Sequence, residues 1–163
     1  MKYITGQYAL NIHHREDVKE PTGDWHGLIW DNIMKLPDEQ VDYAGDGCFI
    51  NTLHIWDNYG IYNDTDHMKK KNIIINEEVF VADYYRAILD LVYYGLIKYG
   101  KINHLNCITA DCLDTEDQVL KVMNKVIVLE KTMNKKQIDE LHRWIYNERN
   151  YEKIRNEGML NGY

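Results

Sequence analysis

The residue types best equipped for chemistry sit in the first 75 positions of this 163-residue chain, which hold five of its seven histidines and three of its four tryptophans. Gly23-Asp24-Trp25-His26 gathers several of them in one turn. Glycine permits a tight bend, Asp24 can orient an imidazole or cap the next element, Trp25 and Trp30 offer flat apolar surface, and His26 can ligate a metal or move a proton. The same string serves equally as a plain turn anchored in the core by Trp25, with Asp24 accepting backbone N–H bonds. His13, His26 and His54, with Asp24, supply nitrogen and oxygen ligands of the kind zinc or manganese takes. Against that, the adjacent His13 and His14 point in opposite directions in extended chain, and the H-E-x-x-H spacing that puts two ligands on one helix face is absent. His54 and Asp57 lie three apart beside Trp56, and Asp64, Asp66 and His67 follow. An Asp–His pair can hold an imidazole for general-base work, but it needs a nucleophile or a pocket, and the sequence displays neither.

Other chemistries find less. Cys48 follows Gly45-Asp46-Gly47, a context that can expose a thiol, whereas an isolated cysteine is more often a small buried apolar residue. Both phosphate-loop glycine patterns are missing, so nucleotide binding has no support. The formal net charge is -7, with 12 acids against 7 bases up to position 75, and an acidic surface repels phosphate backbones. Nucleic acid is therefore not the favoured partner, and Lys69-Lys70-Lys71 reads as a solvated run. Three cysteines without a regular framework suit a reducing cytoplasm. No stretch reaches the roughly 18 apolar residues of a membrane span.

A different clue comes from residues 84–94, where Tyr84-Tyr85 and Tyr93-Tyr94 flank two and a half helical turns that include Arg86. Tyrosine and arginine are enriched at protein interfaces, where a broad ring adds area at little entropic cost. Trp25, Trp30, Tyr84, Arg86 and Tyr94 are thus the candidate partner-binding residues. The plainer reading has the tyrosines packing over a sheet with their hydroxyls wetted at its edge.

The elements that must position these groups divide near residue 75. Residues 2–12 read as an opening strand, with Gly6 at a bulge or close approach; 27–36 as a second strand; 38–47 as a turn-rich connection; 48–56 and 60–62 as further strands; and 63–72 as an exposed loop. From Asn76 a helix is predicted to run to about Tyr99, stopped by Gly100. Two more open on capping boxes, Thr115 with Gln118 and Asn134 with Gln137. The first carries Val119, Val122, Met123, Val126 and Ile127 on one face; the second carries Ile138, Leu141, Ile145 and Ile154. A frayed tail is expected over 158–163. The sum is one α+β domain: a small, mostly antiparallel sheet from residues 1–75, packed by about three helices from 76–157.

Lys2-Tyr3-Ile4-Thr5-Gly6, Ala9-Leu10-Asn11, Gly23-Asp24-Trp25-His26, Asp57-Asn58-Tyr59-Gly60-Ile61 and the run 83–91 together resemble a group of small bacterial proteins that open in this way. No established activity comes with that group. Its members are associated with gene neighbourhoods of abortive-infection or toxin–antitoxin type, near nucleotidyltransferase-like toxins, which is association and not mechanism. This chain departs from their pattern by a longer insertion at 38–51 and a longer last helix. The free thiols and the lack of a catalytic or phosphate-binding motif point to a cytosolic, non-catalytic protein without a cofactor that binds or neutralises another protein, and the resemblance implies a toxin or defence effector as that partner. The alternative is a small metal-assisted hydrolase or transferase built on Asp24, His26, His54 and Asp57.

Overall fold

Gly6 adopts φ 62° and ends the first strand after three residues. The computed structural model describes residues 1–10, 43–70 and 77–151. In them β1 (Lys2–Ile4) passes directly into a short helix, α1 (Gly6–Leu10), whose Ala9 N–H returns to the Thr5 carbonyl at 3.3 Å. Over its described part, residues 2–10, the expected strand is thus corrected to strand then helix. Tyr8, Ala9 and Leu10 are all buried, and a short apolar run of this kind carries no periodicity that tells the two apart.

β2 (Tyr43–Gly45) runs antiparallel to β1, Tyr3 opposite Ala44. The strand expected over 48–56 is reduced to one bridge between Ile50 and Ala44, after which α2 (Leu53–Trp56) forms. Asn51 accepts the Leu53 N–H on its side chain at 3.2 Å, a local bond that turns the chain out of extended conformation. β3 (Ile61–Asn63) falls where a strand was expected. The next stretch, expected as an exposed loop, contains α3 (Thr65–Lys70), with Asp64, Thr65 and Met68 buried. One apolar anchor is too few to register as a helical stripe.

The helix expected from Asn76 begins later. β4 (Phe80–Ala82) pairs antiparallel with β3 and parallel with β1, Ile4 opposite Val81, giving the order β2-β1-β4-β3. Val79 and Ala82 fit helical spacing locally, and only pairing with distant strands makes this segment extended. The sheet therefore draws its fourth strand from beyond residue 75. Asp83 caps α4 (Tyr84–Tyr99) by accepting the Arg86 N–H at 2.7 Å, and Gly100 closes it at φ 62°.

α5 (Ile108–Cys112), α6 (Glu116–Val126) and α7 (Lys135–Arg149) follow. Both anticipated capping boxes are present, and Gly100 stops α4 as expected. Val122, Met123 and Val126 are buried, while Ile127 stays 39% exposed in a 3₁₀ turn. On α7 the buried stripe is Leu141, Trp144 and Glu148, with Ile138 and Ile145 partly covered. The architecture is α+β, a mixed, mostly antiparallel sheet with the carboxy-terminal helices packed on it. Among the described residues no helix is long and apolar enough to cross a membrane. The expected strand at 27–36, Asn76, Ile154 and the tail 158–163 lie outside the described residues.

Candidate interaction surface

Four side chains close around Arg86 in the interior. Tyr3 and Thr5 alternate along the start of the chain and so face the same way, while Arg86 and Asp90 are one turn apart on α4. The Arg86 guanidinium donates to Asp90 Oδ1 at 3.1 Å, to the Tyr3 hydroxyl at 2.8 Å and to Thr52 Oγ1 at 2.8 Å. Asp90 in turn receives Tyr3 at 2.8 Å, Thr5 at 2.7 Å and Thr52 at 2.5 Å. The remaining guanidinium nitrogen donates to the carbonyls of Asp57 and Tyr59, both at 3.1 Å. Burial pushes the Asp90 carboxyl above its usual range, against the pull of Arg86 and the three hydroxyls. Burial likewise raises the Tyr3 phenol, with the Asp90 charge next in weight. Each polar group in this clasp has partners, which is the condition for burying charge without a large penalty.

The clasp gathers segments that carried the sequence resemblance: the opening Tyr3 and Thr5, the Asp57–Gly60 turn, and Arg86 with Asp90. Gly60 lies at φ 68°, and a Cβ there would stand 2.5 Å from Asp83 Oδ1 and 2.8 Å from Arg86 Cβ, so only glycine lets the turn approach α4. Asp57 also takes a positive φ, 47°, without being glycine.

The predicted site residues separate accordingly. Asp24, His26, His13, Trp25 and Trp30 lie outside the described residues. His54 and Asp57 are both exposed at the end of α2, and among the described residues no hydrogen bond joins them. Of the second acidic cluster, Asp64 meets His67 Nδ1 at 3.1 Å. Among the described residues no group of three or more histidine, cysteine or acidic side chains could hold a metal ion. Tyr84 is 3% exposed and Arg86 wholly buried, so neither offers surface to a partner. Tyr84 and Tyr94 are ten residues apart, and at about 100° per residue they leave α4 in directions roughly 80° apart.

Tyr94 is half-buried and belongs to a cluster on the outside. Its ring meets Phe49 edge to face at 6.0 Å between centroids and Tyr99 at 5.8 Å. Phe49 is 68% and Tyr99 56% exposed, with Ile97 alongside on α4. Lys98 donates to the Tyr94 hydroxyl and lies over the Tyr94 and Tyr99 rings. That hydrogen bond is the main reason its ammonium is held above the usual lysine range. Sequence reasoning reached Tyr94 but missed Phe49 and Tyr99. Their signals were a phenylalanine two residues after the turn glycine Gly47, and a tyrosine directly before the helix stop at Gly100.

A concavity of about 920 Å³ opens between the start of α6 and the end of α7 and is lined by Leu113, Val119, Ile127, Ile145 and Tyr146. Glu148 in its wall accepts the Cys107 N–H at 2.6 Å, the Thr109 N–H at 2.9 Å and the Thr109 hydroxyl at 2.6 Å. Burial nevertheless raises its carboxyl above the ordinary range. Compared with protein-family profiles, curated proteins and solved structures, the chain matches none.

Proposed function

We propose that the protein is a cytosolic, non-catalytic binding or neutralising component that grips another protein through the exposed cluster of Phe49, Tyr94 and Tyr99. The observation that supports this is large ring exposure combined with two edge-to-face contacts, Phe49 with Tyr94 and Tyr94 with Tyr99, which tie the three rings into one cluster. Preformed aromatic area of this kind loses little entropy on association, and apolar rings gain by leaving water. The resemblance of the opening residues to small bacterial proteins makes a toxin or defence effector the partner proposed. The enzymatic alternative gains nothing from His54 and Asp57, which are exposed and unjoined.

The test compares the native protein with Phe49→Ser and Tyr99→Ser in pull-downs from host extract under identical conditions. A protein retained by the native chain and lost from both variants supports the reading. Retention of no protein, or of the same protein by all three chains, overturns it.

A further inference from the structure

We infer that Thr52 is a positioning residue whose hydroxyl seats Phe49 against Tyr94, so that the buried clasp assembles the outer aromatic cluster. The inference rests on reading that cluster as a contact surface, and its test is independent of any partner. Phe49 stands on the segment between β2 and α2. Three residues further on, Thr52 is fully buried, its hydroxyl donating to Asp90 Oδ1 at 2.5 Å and accepting from Arg86 at 2.8 Å. Asp90 precedes Tyr94 by four residues on α4, one helical turn. A carboxylate borne by the helix of Tyr94 therefore holds the segment that bears Phe49.

The segment has a second anchorage with a different effect. Gly45 N–H donates to the Ile50 carbonyl at 2.9 Å, and Asn51 reaches back to Asp46, which closes the turn on β2 and sets its own shape. Neither bond touches α4. Among the described residues the Thr52 hydroxyl is the polar tie between this turn and the helix, and an exposed ring contact at 6.0 Å has little energy of its own to hold two elements in register. Thr5 provides the control. It donates to the same carboxylate, at Oδ2 and 2.7 Å, but belongs to the chain start and not to the segment of Phe49.

The experiment follows nuclear Overhauser cross-peaks between the Phe49 and Tyr94 rings in the full chain carrying Thr52→Val, Thr5→Val or Thr52→Ser. Valine keeps the threonine shape and removes its hydroxyl; serine keeps the hydroxyl and removes the methyl. The expected result is loss of the cross-peaks in Thr52→Val and their persistence in Thr5→Val and Thr52→Ser. Persistence in Thr52→Val overturns the inference, as does equal loss in Thr52→Val and Thr5→Val, which would mark general loosening of the core. Should Thr52→Val not fold, loss of the cross-peaks in Thr52→Ser overturns the inference alone, because the hydroxyl is still present. Any of these results leaves the pull-down outcome free, so a failure here and a failure of the surface reading are told apart.

Discussion

Arg86 and Asp90 face each other across one turn of α4 at 3.1 Å, with neither side chain reaching solvent. An ion pair so placed contributes little net stability by itself, because desolvation offsets its Coulomb attraction, but breaking it strands a charge. Asp90→Ala is expected to cost about 3–5 kcal/mol in urea unfolding, since it leaves the guanidinium uncompensated and three hydroxyls without an acceptor. The double variant Arg86→Met, Asp90→Leu should recover part of that loss. Recovery stays partial because the carbonyls of Asp57 and Tyr59 lose their donor.

The two positive-φ residues of the neighbouring turn predict opposite signs. Gly60→Ala places a Cβ 2.5 Å from the capping carboxylate of Asp83 and is expected to destabilise by roughly 2 kcal/mol or more. Asp57→Gly relieves a non-glycine residue at φ 47° and should stabilise by up to about 1 kcal/mol after the added chain entropy is counted. Thermal or urea melts of the pair decide it, and a loss of stability in Asp57→Gly contradicts the strain argument.

Glu148 sets a pH dependence whose sign follows from its raised carboxyl. The fold favours the protonated form more than the unfolded chain does, so this contribution is fully present below the ordinary glutamate value of 4.5 and is lost as pH rises through the higher folded value. Subtracting unfolding free energies of Glu148→Gln from those of the native chain across pH isolates the effect. The difference should fall as pH rises through that window; a difference that rises with pH contradicts the assignment.

The thiols should separate by depth. Burial, with the nearby Asp111 and Glu148 charges, pushes Cys112 up to about 12, so at pH 8 it carries almost no thiolate. Cys48 is only partly covered. Alkylation mapped by mass spectrometry is expected to modify Cys48 in the folded protein and Cys112 only after denaturation.

The aromatic cluster gives a stability control. Phe49→Ser and Tyr99→Ser remove exposed rings, and each is expected to shift unfolding free energy by about 0.5–1.5 kcal/mol at most, the range of one edge-to-face contact. A larger loss would mean that these rings hold the fold rather than meet a partner.

Local chemistry was legible in the letters, and distant pairing was not. The boxes at Thr115 and Asn134 and the stop at Gly100 each rest on residues within a turn of one another, and all three stand where expected. The segment 80–82 took the opposite course: its spacing suited a helix, and the strand exists only because Ile4 and Ile61–Asn63 lie beside it. The clasp was hidden for the same reason. Arg86 and Asp90 at i and i+4 look like an ordinary surface pair, and nothing local says that Tyr3, Thr5 and Thr52 arrive to cover them. The tyrosine pairs were informative about α4 but not about which member faced out.

The parallel pairing of Ile4 with Val81 has a consequence for how the molecule is made. β1 occupies the middle of the sheet, yet its neighbour on one side is synthesised long after it, so a nascent chain carries an open strand edge until β4 has emerged. Truncation anywhere before residue 80 leaves that edge bare and removes Arg86 from around Tyr3. The amino-terminal portion is therefore expected to aggregate or be degraded when produced alone, and its maturation depends on completion of the helix that follows.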